Sequence, residues 1–181
     1  RDDLPSGDYA QHFESVKKIQ SLPDHLIICP GHNYGQQGLS SLYQIKKETG
    51  LHIGITTSGA NQKEVIKAAI EVKVNDDELF DSFQVTYNVF DQSSFSILGD
   101  VLKQGKCVII KEALANGRIF RNEKFQQYNK VYNILEALSK KYEVGVDAIA
   151  LRFIMDNLQP TYVLSGASNK THLKQNLKAL N

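Results

Sequence analysis

Apolar residues fall along this chain in two alternating rhythms. From Asp8 to Leu22 the positions Tyr9, Phe13, Val16, Ile19 and Leu22 recur three or four apart, which lines one face of a helix. Pro23-Asp24 ends that segment, and residues 25–29 (HLIIC) form a short apolar run that reads as a strand. Pro30 to Gly35 reads as a loop. Residues 39–49 return to helical spacing with Leu39, Leu42 and Ile45 inward, and Gly50 stands where a helix ends. The same reasoning predicts a strand over 51–55 and a helix over 61–72, with Val65, Ile66, Ala69 and Ile70 inward. A strand over 83–87, a helix over 93–104 and a strand over 107–111 follow. Helices over 124–142 and 146–158, a strand over 162–165 and a helix over 169–180 complete the pattern, with Ser168 as N-cap.

Strands that are apolar throughout, each followed by a helix, imply an α/β fold with a parallel sheet covered on both faces. Five strands in sequential order are expected. Neither a G-x-G-x-x-G turn nor a G-x-x-x-x-G-K-[ST] loop occurs, so the usual nucleotide signatures of open sheets are absent.

Composition narrows the partners. The 181 residues are 41% hydrophobic and 23% charged, with a net charge of +1 and no basic run. A sizeable core can form, and neither nucleic acid nor a membrane surface is the expected partner. Cys29 and Cys107 each sit in an apolar run, which suits buried thiols rather than a disulfide or redox pair and points to a reducing, cytoplasmic setting. No apolar run reaches the roughly 18 residues a membrane helix needs, and Arg1-Asp2-Asp3 does not read as a signal peptide.

Local sequence goes further. The runs LHIGITTSG (51–59), FDSFQVTYNV (80–89) and VIIKEALANGR (108–118) resemble the fifth, sixth and seventh strands of aldo/keto reductases. VDAIALRF (146–153) resembles a helix of that family, and VLSGASNKTHLKQN (163–176) its eighth strand with the phosphate-binding helix. All five occur in family order and spacing. The resemblance implies half of a TIM-type (β/α)₈ barrel, with ligands at the C-terminal strand ends, and NADP(H), or alternatively NAD, as cofactor. Thr56 and Thr57 stand where the family hydrogen-bonds the nicotinamide carboxamide, and Gln84 at a third amide contact; the alternative is that the threonines satisfy loop backbone. Gly166, Ala167, Ser168 and Asn169 open the helix at which a phosphate would sit. His172, Gln175 and Asn176 stand where the family meets the adenosine 2′-phosphate and adenine, although relatives often carry Arg in place of His172 and a basic residue in place of Gly166. His172 could equally be an exposed helix residue. Lys111 occupies a position where many relatives stack a Tyr on the nicotinamide; alternatively Lys111 and Glu112 pair with neighbours at the barrel mouth. The family's catalytic Asp, Tyr, Lys and His lie on its first four strands, and no matching segment precedes Leu39, so no catalytic residue is assigned and the chain is expected to be inactive alone.

The first 38 residues carry a second resemblance. Residues 2–10 (DDLPSGDYA) and 21–35 (SLPDHLIICPGHNYG) are similar to the C-terminal part of metallo-β-lactamase-fold hydrolases of the glyoxalase II and persulfide dioxygenase kind. There His32 would match a metal ligand. One ligand of the three or four that zinc needs makes no site, so no metal is expected and His32 reads as a loop histidine, or as a residue just past a strand end where the reductases place their catalytic His. The chain thus reads as a fusion of a 1–38 metallo-β-lactamase-like fragment with a 39–181 half-barrel. Two function classes follow: an oxidoreductase-type domain binding a nicotinamide cofactor, and a non-catalytic scaffold; a hydrolase fragment is a remote third. A half-barrel would leave strands 25–29 and 162–165 as edges, and an inner face lined by Ile53, Ile55, Val85, Ile109 and Val163 open. That predicts a homo-oligomer, most simply a homodimer.

Overall fold

A computed structural model describes residues 39–181. Helix α1 (Leu39–Thr49) leads into strand β1 (Gly54–Thr56), then helix α2 (Gln62–Ile70) and a small antiparallel pair, β2 (Lys73–Val74) with β3 (Asp77–Glu78). Strand β4 (Ser82–Thr86), helix α3 (Phe95–Lys103) and strand β5 (Cys107–Lys111) follow. Two short 3₁₀ turns lead to helices α4 (Asn129–Tyr142) and α5 (Val146–Leu158), strand β6 (Tyr162–Val163) and helix α6 (Lys170–Asn176), which runs on as 3₁₀ over Leu177–Leu180. The main sheet is parallel throughout, in the sequential order β1-β4-β5-β6. The strand expected over 25–29 lies outside the described residues.

The parity of the sheet decides which side chains do what. Ile55 pairs with Phe83, Phe83 with Val108, Val85 with Ile110 and Ile110 with Val163, and in a parallel ladder paired residues share a face. Phe83, Val85, Val108 and Ile110 are fully buried. They pack in one cluster with Ile66 and Ala69 of α2, Leu98 and Val101 of α3, and Ala148, Leu151 and Ile154 of α5. Each of the larger side chains among these contributes about 1.5–3 kcal/mol by leaving water. The other parity holds Thr56, Gln84, Thr86, Ile109, Lys111 and Tyr162. The expected apolar inner face is therefore corrected. Ile55, Val85 and Val163 face the helices, Ile53 belongs to the same helix-packed core, and only Ile109 sits on the inner side. That side is mainly polar, so the apolar-surface argument for self-association does not hold.

Smaller departures have local causes. Ile45 and Val65, expected inward, are each 43% exposed, because Leu42 and Ile66 take the core positions on their helices. The β2–β3 pair was hidden in a charged stretch, where Asn75 and Asp76 turn the chain at φ 52° and 66°. Gly50, at φ 68°, ends α1 as its position predicted. Cys107 opens β5 and is partly buried; Cys29 lies outside the described residues. Among the described residues no helix is long and apolar enough to cross a membrane.

Candidate functional site

Three strands end side by side, and their last residues are polar. Thr56 closes β1 beside Gln84 of β4, and Thr86 closes β4 beside Lys111 of β5. From β5, the Lys111 Nζ reaches across β4 to donate to Thr56 Oγ1 at 2.9 Å. Thr57 is buried; its N–H donates to the Gln84 carbonyl at 2.9 Å, while its hydroxyl meets no partner. Among the described residues neither threonine hydroxyl bonds loop backbone. Behind them, buried Gln62 clamps the tip of β4: its Nε2 donates to the Thr86 carbonyl at 2.8 Å and its Oε1 accepts from the Thr86 N–H at 3.2 Å.

The loop after β5 is strained and firmly held. Glu112, Ala115 and Asn116 have φ of 53°, 50° and 54°, a region costing a non-glycine residue about 1–2 kcal/mol each. Asn88 Nδ2 donates to the Glu112 carbonyl at 3.1 Å, and Thr86 Oγ1 to Glu112 Oε2 at 3.3 Å. Thus Lys111 and Glu112 do pair with neighbours at the strand ends. Further on, Ala115 and Ile119 pack with Leu135 of α4 and Ala150 of α5, and Tyr132 Oη donates to the Arg118 carbonyl at 2.9 Å. Strain maintained by its surroundings in this way concentrates at functional sites.

Between this loop and the segment after β6 lies a groove of about 660 Å³. Gly166, Ala167, His172, Gln175 and Asn176 form one side of it, facing Glu112, Asn116 and Phe120. Of the residues singled out in this segment, Ser168 and Asn169 stand apart from the wall. Asn169, not Ser168, caps α6: it is extended, at φ −154° and ψ 171°, and its Oδ1 accepts from the His172 N–H at 2.9 Å. The Ser168 hydroxyl meets His172 Nδ1 at 3.0 Å. Asn176 is buried; its Nδ2 donates to the Ser165 carbonyl at 3.0 Å, and its Oδ1 has no partner.

Two of the lining residues that sequence reasoning missed stand out. Phe120 is 49% exposed on the groove wall, and an aromatic in a loop offered the only hint. Asp147 is buried, lines the groove and accepts from the Ala148 N–H at 2.9 Å. Its carboxylate folds over Gly145, where a Cβ would come within 2.1 Å of Asp147 Oδ1. The Gly145-Val146-Asp147 spacing was the available signal, but it read only as a helix start. Among the described residues no group of three or more His, Cys, Asp or Glu stands together to hold a metal, and His32 lies outside them.

A parallel sheet with helices between its strands and a groove at the C-terminal strand ends is the architecture of a (β/α) barrel segment with its ligand face at that end. Residues 39–181 match the aldo/keto reductase family, and the chain belongs to it. The fold agrees. An aldo-keto reductase from Bacillus halodurans in its apo form superposes with a TM-score of 0.66 at 17% identity, covering 95% of this chain and 61% of its own length. One from Klebsiella pneumoniae, solved with NADPH, gives 0.61 at 17% identity over 93% and 57%. A thermostable aldo-keto reductase solved with the inhibitor epalrestat gives 0.61 at 20% identity over 93% and 58%. The chain therefore spans about 60% of the length of these proteins.

Proposed function

We propose that residues 39–181 form the cofactor-holding part of an aldo/keto reductase-type oxidoreductase and bind a nicotinamide dinucleotide in extended form along the strand ends. Thr56, Thr57, Gln84 and Lys111 would receive the nicotinamide end. Gly166, Ala167, Ser168, Asn169, His172, Gln175 and Asn176 would form the adenosine end. The two groups adjoin where Lys111 passes into Glu112. The observation that carries this reading is a pair of buried orphans. The Thr57 hydroxyl and the Asn176 Oδ1 are two of only three buried side-chain polar atoms without a hydrogen-bond partner among the described residues, and they stand in the two halves of the proposed site. An unmet buried polar atom costs roughly 1–3 kcal/mol; an amide or amine of a ligand would offset that cost at either end. Phe120 adds an apolar face of the kind on which a purine stacks.

When bound, the cofactor supplies the hydride. The chain's own part is to bind and orient it. The resemblance places the family's proton-donating Tyr and its Asp, Lys and His partners outside residues 39–181, so the chain by itself is proposed not to reduce carbonyls.

Titration with reduced nicotinamide cofactor, followed by its own fluorescence, tests the reading. Wild type should bind with weak, saturable affinity, and Asn176→Ala should weaken binding several-fold, about 1 kcal/mol. No binding at millimolar cofactor would overturn the proposal. Carbonyl turnover by the chain alone would overturn its catalytic part.

A further inference from the structure

One side chain ties the loop after β4 to the loop after β5. We infer that Asn88 is a positioning residue for the proposed site: it fixes the backbone turn at Glu112, where the nicotinamide and adenosine ends adjoin, without contacting the ligand. The inference rests on the proposed function above. Asn88 is fully buried and is not part of the groove wall. An Asn side chain accepts through its oxygen and donates through its nitrogen, and here the two ends serve different loops. Oδ1 accepts from the Phe90 and Asp91 N–H groups, each at 3.0 Å. The main chain closes the same turn, with the Asn88 N–H donating to the Asp91 carbonyl at 3.0 Å and the Asp91 N–H to the Asn88 carbonyl at 3.2 Å. Nδ2 leaves that turn and donates to the Glu112 carbonyl at 3.1 Å.

Glu112 needs such a hold. At φ 53° it occupies the left-handed region, which a residue bearing a Cβ disfavours. Its carbonyl also accepts from the Ala115 N–H at 2.7 Å, and its Oε2 accepts from Thr86 Oγ1 at 3.3 Å. The turn is thus held from the β4 side through both its main chain and its side chain. Val89 and Phe90 pack on the cluster that contains Ala115 and Ile119, which brings the two loops together. Apolar packing does not set the orientation of a peptide group, whereas a hydrogen bond is directional. Rotating Glu112 out of the left-handed region would swing its carbonyl off Nδ2 and re-aim the chain beyond it. Lys111, which bonds Thr56, lies just before that torsion, and Leu114, Asn116 and Phe120 of the groove wall lie after it. The bond from Asn88 therefore sets one end of the site relative to the other.

The test compares wild type, Asn88→Asp and Asn88→Ala of the full chain, each checked for folding by circular dichroism, in calorimetric titrations with NADP⁺ from neutral to mildly acidic pH. Asn88→Asp keeps the size and both acceptor bonds but turns a carboxylate oxygen toward the Glu112 carbonyl. Protonation restores a donor there, and burial raises the pH at which it happens. Near neutral pH both variants should bind about tenfold more weakly than wild type. On acidification Asn88→Asp should recover to within about threefold of wild type at the same pH, while Asn88→Ala should not. Wild type as the reference at each pH removes the titration of Glu112, Asp91 and Lys111, which stand on the joined loops. Folded variants that bind as wild type does, or an Asn88→Asp that acid does not restore, overturn the inference and leave the proposed function standing. Binding by none of the three overturns both. Should a variant fail to fold, wild type decides: amide exchange at Phe90 and Asp91 should slow about threefold or more with NADP⁺ bound, and unchanged exchange overturns the inference.

Discussion

The two ends of the sheet are built on opposite terms. At the N-terminal end a cluster of charged side chains is paired within the fold. Lys46 Nζ bonds Asp81 Oδ1 at 2.7 Å and the carbonyls of Glu78 and Leu79 at 3.0 and 3.2 Å. Asp81 Oδ2 accepts from the Ile53 N–H at 2.9 Å. Lys47 pairs with Asp77 at 2.7 Å, and Lys106 with Glu78. At the C-terminal end two buried polar atoms go unmet, three non-glycine residues in the loop after β5 sit at positive φ, and two carboxylates share a groove. One end commits its charges to the fold, whereas the other leaves two buried polar atoms without a partner among the described residues, which the proposed function assigns to a ligand. That division is expected of parallel (β/α) proteins, whose chemistry sits at the C-terminal strand ends.

The sharpest way to break this contrast is Asp81→Ala. It strips a partly buried ion pair and a bond to the β1 approach, and it should cost about 2–3 kcal/mol in a denaturant titration. A loss below about 0.5 kcal/mol, within the range of an ordinary surface change, would mean the N-terminal end is not what secures the strands.

Gln62→Ala should cost about 2 kcal/mol, since it leaves the Thr86 N–H and carbonyl buried and unmet. Gln62, like Asn88, is a polar group at the C-terminal end that is bonded within the fold. Cofactor affinity per folded molecule should fall less in this variant than in Asn176→Ala.

Thr57→Val should have the reverse sign. Replacing an unpartnered buried hydroxyl by a methyl removes a desolvated group, so stability should stay level or rise by up to about 1 kcal/mol while cofactor binding weakens. A clear destabilisation would show that the hydroxyl has a structural partner and that the contrast between the ends is overstated.

Acid should weaken the N-terminal end by a smaller amount. Hydrogen bonds from Lys47 and then Tyr43 hold the Asp77 carboxyl below its ordinary range, and a hydrogen bond from Lys106 does the same for Glu78. A depressed folded-state pKa gives stability that is fully present above the unfolded carboxylate range and is lost as pH falls through the folded value. Thermal midpoints should therefore drop on acidification below that range, and Glu78→Gln should flatten the slope. Both carboxylates are solvent-exposed, so the effect is modest.

Much of this molecule was legible in its sequence, and the boundary is instructive. The helices over Leu39–Thr49 and Val146–Leu158 and the strand over Cys107–Lys111 were expected with the bounds observed, because the helices are long periodic segments and the strand is a short apolar run bounded by polar residues. Parallel, sequential strands followed from apolar runs alternating with helices, and the family from five motifs in order. Sequence could not say which residues of a uniformly apolar strand face which way. In a run such as CVII both parities are apolar, so only the register with neighbouring strands sends Val108 and Ile110 to the helices and Ile109 to the other side. Nor could it show that Asp147 folds back over Gly145 into the groove, or that Asn169 takes the cap in place of Ser168. Those outcomes depend on through-space packing between segments distant in sequence and on a few degrees of backbone torsion, and local periodicity carries no record of either.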